Sequence, residues 1–114
     1  MQVNFTLDCA DPARLADFWS LALRCSVKPV IPDHFVAVEH ESFTLTLQRV
    51  PEPKATKNRM HLDLLVDDLD AELVRIESLG ATRLTDDALQ MYGERWFVLA
   101  DPEGNEFCLA EPSA

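Results

Sequence analysis

A chain of 114 residues is the size of one compact domain, and 47% hydrophobic against 26% charged residues excludes a disordered polymer. A formal net charge of −10, with the Lys and Arg scattered rather than gathered in a stripe, opposes phosphate backbones and anionic lipid, so neither nucleic acid nor a membrane is an expected partner. No apolar run approaches the ~18 residues that cross a bilayer, and Cys9, Cys25 and Cys108 form no C-x-x-C pair; a cytoplasmic protein with reduced thiols is expected.

Val3, Phe5, Leu7 and Cys9 alternate with Asn4, Thr6 and Asp8, the period of a strand with one apolar and one polar face. Asp11 then caps a helix over about 11–24, with Pro12 at its first position and Leu15, Phe18, Trp19, Ala22 and Leu23 on one side. Three antiparallel strands are expected next, at Ser26 to Ile31, His34 to His40 and Phe43 to Val50, separated by Pro32-Asp33 and Glu41-Ser42. His34 and His40 lie ~20 Å apart at ~3.3 Å per residue, too far to share a metal, and are expected at the surface. The proline-bearing stretch Pro51 to Asn58 reads as a connection.

The order then repeats. Met60 to Val66 sets Leu62, Leu64 and Val66 against His61, Asp63 and Leu65, and Asp68 caps a helix carrying Leu69, Leu73, Ile76 and Leu79 before Gly80. Strands at Ala81 to Thr85, Arg95 to Ala100 and Glu106 to Ala110 complete the half, the last two joined by Asp101-Pro102-Glu103-Gly104-Asn105. Asn4 falls on His61, Thr6 on Asp63 and Asp11 on Asp68 at a constant offset of 57, and the closing strands align at 60. A duplicated βαβββ unit is the economical reading, with modules at about 1–53 and 58–114 of a single domain 1–114.

Three segments carry a resemblance to a known family: DCADPARLADFWSLAL at 8–23, NRMHLDLLVDDLDAELVRIESLGATRL at 58–84 and WFVLADPEGNEFCLAEP at 96–112. With them the chain resembles the vicinal oxygen chelate superfamily, which groups glyoxalase I, bleomycin-resistance proteins and extradiol dioxygenases, and within it the small glyoxalase-like proteins. The resemblance implies an α+β fold of two tandem βαβββ modules forming an eight-stranded, incompletely closed barrel. Two helices would lie on its convex face and a ligand cavity on its concave one. It also implies a homodimer.

In metal-dependent relatives four inward positions hold a divalent metal, and carried over they become Asn4, Gln48, His61 and Cys108. Asn4 stands where His is usual and Cys108 where relatives place a Glu that serves as ligand and as proton-transferring base. His61, Gln48 and Cys108 are the candidate metal ligands, although with Asn4 the set makes a poor tetrahedral zinc site. Glu106, two residues from Cys108 on the same face, is the substitute carboxylate, so His61 and Glu106 are the candidate catalytic pair. Plainer readings stand beside these: His61 hydrogen-bonded to Asp63 or Gln48, Cys108 as a small hydrophobe, Glu106 solvated at a strand edge, and Trp96 in a core or dimer contact rather than as an aromatic wall.

The leading expectation is a protein that binds a small molecule through Asn4, Gln48, His61, Trp96, Glu106 and Cys108 with no required metal. The alternative is a lyase, isomerase or dioxygenase that uses a divalent transition metal on a small oxygen-rich substrate.

Overall fold

The structure, a computed structural model, describes residues 4–91 and 93–112; Val3, expected to open the first strand, lies outside them. The chain divides into two compact units, Met1–Ala55 and Thr56–Ala114.

In the first unit, β1 (Asn4–Cys9) leads into α1 (Pro12–Leu23), followed by β2 (Ser26–Ile31), β3 (Phe35–Glu39) and β4 (Thr44–Arg49). The helix starts where the sequence says it should. The Asp11 carboxylate accepts from the Arg14 amide at 3.2 Å, and Pro12 gives up only an N–H that has no intrahelical partner. The sheet runs β1-β4-β3-β2, with β4 parallel to β1 and antiparallel to β3. Leu15, Phe18 and Trp19 of α1 are buried together with Val36, Val38, Leu45 and Leu47, one apolar face of the sheet closed by the helix packed on β3 and β4.

The second unit repeats this plan: β5 (Leu62–Leu65), α2 (Leu69–Ser78), β6 (Thr82–Arg83), β7 (Leu89–Met91), β8 (Glu94–Ala100) and β9 (Glu106–Pro112). Its sheet runs β5-β9-β8-β6, with β9 parallel to β5 and β7 also on β8. Asp68 caps α2 by accepting from Ala71, and Glu111 on β9 reaches the same helix end, accepting from the Leu69 amide at 2.7 Å. Beyond the C-cap Leu79, Gly80 turns the chain at φ 120°, in the region where a side chain is strained. Leu73 and Ile76 of α2 are buried, as are Phe97, Leu99, Phe107 and Leu109 on the sheet.

Two expectations need correcting. The described residues form nine strands rather than eight, because the single strand expected at Ala81 to Thr85 is a two-residue pairing and Leu89–Met91 forms a second one on the same edge of β8. Between them the Thr85 hydroxyl accepts the Val98 N–H at 3.2 Å, so a side chain replaces the ladder bond where the edge is interrupted. The closing strands also do not align at 60. The ladders pair Thr6 with Thr46 and Asp63 with Cys108, so an offset of 57 on β1 and β5 becomes 62 on β4 and β9. The structural counterpart of Cys108 is therefore Thr46, and Gln48 matches Ala110.

Candidate functional site

In β5 the alternation turns Leu62 and Leu64 toward the helix-covered side and Asp63 and Leu65 to the other, with His61 one residue before the strand and in phase with Asp63. On β9 the residue directly across from Asp63 is Cys108, and the next strand places Val98 across from Cys108. His61 Nε2 lies 3.2 Å from Asp63 Oδ1. One donor atom from each of His61, Asp63 and Cys108 falls within 4.8 Å of the others, a grouping of ligand types found among the described residues.

The Cys108 thiol is held above its ordinary range. Burial contributes most, the Asp63 charge and a hydrogen bond to Asp63 add to it, and Lys57 opposes them. The thiol is therefore protonated at neutral pH and donates to Asp63, while the same carboxylate faces His61. At 43% and 61% side-chain exposure, His61 and Asp63 are open to a ligand. Glu106 stands across from Ala100, and its Oε2 accepts from the Asn58 amide at 3.0 Å, tying β9 to the segment that leads into His61. Trp96 is half-buried on the same face, between Ala110 and Leu89.

Of the residues singled out by sequence, His61 and Cys108 come together, and Glu106 and Trp96 share their face on neighbouring rungs. Asn4 and Gln48 belong to the first unit. They share a face there, yet Asn4 pairs with Thr44 and Gln48 with Asp8, about 13 Å apart along the ladder. Asp63 is the donor that sequence reasoning treated only as a partner for His61. Its signal was the H-x-D spacing, which sets both side chains on one strand face.

A neutral imidazole, a thiolate and a carboxylate are donors that zinc and similar cations accept, and three protein ligands leave one position for water or substrate. His61, Asp63 and Cys108 fit such an ion by type and by convergence. Loading would have to displace the thiol proton, so affinity would rise with pH.

The fold and this polar sheet face define a glyoxalase-like protein. The chain belongs to the glyoxalase-like domain family, which matches residues 4–110. Among solved structures it is similar to a glyoxalase/bleomycin resistance protein/dioxygenase family enzyme from Burkholderia phytofirmans, at 17% identity and a TM-score of 0.81, covering 96% of each chain. It is similar also to a lactoylglutathione lyase from Agrobacterium tumefaciens, at 16% identity and a TM-score of 0.71, covering 97% of this chain and 92% of the other. A fosfomycin resistance protein from Mesorhizobium loti gives 15% identity and a TM-score of 0.76 over 99% of this chain and 92% of its own. No curated protein sequence matches the chain. No helix among the described residues is long and apolar enough to cross a membrane.

Proposed function

We propose that the chain binds a small molecule on the polar face of its second sheet and needs no metal to do so. One observation carries this reading: Asp63 accepts from the Cys108 thiol and faces the His61 imidazole at 3.2 Å, so the three groups satisfy one another without a cation. A ligand hydroxyl or carbonyl can then exchange with this internal pairing at His61, whose ring is exposed enough to be reached. Glu106, held by Asn58, shapes the entrance rather than moving a proton. Asn4 and Gln48, expected as further ligand contacts, are tested separately by alanine substitution. A homodimer is part of the proposal; β2, a sheet edge exposed at all six residues, supports pairing of two copies, and light scattering at micromolar concentration measures it.

The test is ligand screening by amide chemical-shift mapping on protein treated with chelator. Shifts at residues 61–63 and 106–108 that persist after chelation are the expected result. Binding that vanishes with the metal and returns with it overturns the metal-free reading.

The convergence of His61, Asp63 and Cys108 within 4.8 Å favours a second reading, a metal-dependent lyase, isomerase or dioxygenase, and the neighbours named as a lyase and a resistance protein are in keeping with it. A divalent ion held by His61, Asp63 and Cys108 would polarise a substrate oxygen, with Glu106 as the residue placed to exchange a proton; with the ion held elsewhere, His61 would serve as the base. Turnover unchanged by His61→Ala would remove this reading.

A further inference from the structure

The face that carries the donor cluster is ordered in rungs, and the rungs differ in kind. Asp63, Cys108 and Val98 form one. The next, about 6.6 Å along the strands, is Leu65, Ala110, Trp96 and Leu89, read straight across β5, β9, β8 and β7. Paired residues point to the same side of a sheet, so these four share the side of Asp63 and Cys108. The rung is apolar throughout. Leu65 is 72% exposed and Leu89 41%, exposed hydrocarbon at either end of the rung, with a half-buried indole between them and Ala110, 4% exposed, filling the gap from Leu65 to Trp96. Four strands at ~4.8 Å spacing give this apolar strip a length of about 14 Å, the scale of two or three fused rings.

The charges bordering the strip are mostly negative. Asp63 stands on the rung to one side, and Glu94, paired with Met91 and Pro112, on the rung to the other. Glu106 lies a rung beyond Asp63, while Lys57 is the positive group near Cys108. Asp63 has one side turned to His61 and Cys108 and most of its surface in solvent, which leaves acceptor capacity for an incoming donor.

We propose that the ligand of this site is a flat, apolar ring system bearing a basic amine, the ring resting on Leu65 and against the Trp96 indole and the amine on the Asp63 carboxylate. This rests on the proposed binding role of the second sheet and adds the ligand class. Ring burial supplies affinity, the indole adds stacking, and the charge-assisted hydrogen bond to Asp63 sets orientation.

The chain has two tryptophans, and Trp19 is 1% exposed in the first unit, so quenching on binding reports Trp96. The probes are an acridine ring with an aminoalkyl arm, the same ring with a carboxyalkyl arm, and the ring alone, each titrated against tryptophan fluorescence. Amide shift mapping on the unsubstituted chain gives a second readout. The expected result is quenching by all three, with the amine arm about tenfold tighter than the carboxylate arm, and that preference abolished in Asp63→Asn. Leu65→Ser weakens all three alike. Equal affinity for both arms overturns the amine while leaving the binding role of this sheet intact. A small polar ligand that shifts residues 61–63 and 108, with no acridine affecting Trp96, overturns the ring and again leaves that role standing. Binding of neither kind removes both.

Discussion

Asp101 is 3% exposed, yet it stands in the turn between β8 and β9, where a charge would ordinarily reach water. Its carboxylate is spent on the turn itself. Oδ1 accepts from the Glu103 and Asn105 amides, both at 2.9 Å, and from Asn105 Nδ2 at 3.1 Å, while Oδ2 accepts from the same Nδ2 at 2.9 Å. Asp101→Ala would strand two donors of the buried Asn105, its amide and its side chain, each worth about 1.5 kcal/mol, whereas the Glu103 amide can turn to solvent. The expected loss is about 3 kcal/mol, or about 12 °C in melting temperature at about 4 °C per kcal/mol. Asp101→Asn keeps Oδ1 and its three donors but sets one amide NH2 against another, so about half that loss is expected. Urea unfolding read through Trp96 in a Trp19→Phe background reports on the second unit. A loss below about 0.5 kcal/mol for the alanine variant, or equal losses for the two, would refute this account of the turn.

Asp63→Asn removes a charge and a hydrogen bond that raise the Cys108 pKa, so iodoacetamide should label Cys108 faster at pH 8; because burial is the larger cause, labelling should stay slower than in the unfolded chain. A slower rate in the variant would contradict the assignment. The same raised pKa gives a sign for stability: the unfolded thiol ionises near its ordinary 9.0 while the folded one keeps its proton, so this contribution is constant below pH 9 and is lost as pH rises beyond it, as unfolding midpoints across that range would show. Glu111→Ala should cost about 1–2 kcal/mol by freeing the Leu69 amide and Arg95, and Glu111→Gln less, since it retains an acceptor for the helix end; chemical denaturation compares them. Finally, a Thr6→Cys, Thr46→Cys pair in a cysteine-free background should oxidise to a disulfide, because residues directly across a ladder lie within bridging distance. Thr6→Cys with Gln48→Cys, about 8 Å apart, should not, and the opposite outcome would restore the offset of 60.

Much of the fold was legible because local chemistry and hydrophobic period agreed. Asp11 and Asp68 marked both helix starts, since a capping carboxylate before an apolar stripe has few other uses. The three-residue Leu89–Met91 was not legible: so short a segment has no measurable period, and its pairing depends on how far β8 extends beyond β6. The closing-strand offset was misread for a deeper reason. Alternation repeats every two residues, so shifts of 60 and 62 put the same apolar residues, Leu45 and Leu47 or Phe107 and Leu109, on the buried face, and only the hydrogen-bonded ladder separates them.

That difference of two residues decides how the donors are distributed. With the ladder register, the residues of the first unit equivalent to His61, Asp63, Glu106 and Cys108 are Asn4, Thr6, Thr44 and Thr46. None of these titrates near neutral pH, and none is a good ligand for a transition metal. The second unit has an imidazole, two carboxylates and a thiol at the same places. One topology thus carries proton-exchanging and metal-ligating groups in one copy and hydroxyl and amide hydrogen-bonding groups in the other. A ligand that needs ionic anchoring has reason to choose the second sheet, and the apolar rung beginning at Leu65 adds a surface on which its hydrocarbon can rest. In the first unit the matching rung is Asp8, Gln48 and Phe35, where a charge and an amide interrupt the strip. The two units differ on the face where binding is proposed, while the buried face of each carries apolar pairs, Val36–Leu47 and Val38–Leu45 in the first and Phe97–Leu109 and Leu99–Phe107 in the second, because packing a helix demands them and recognising a ligand does not.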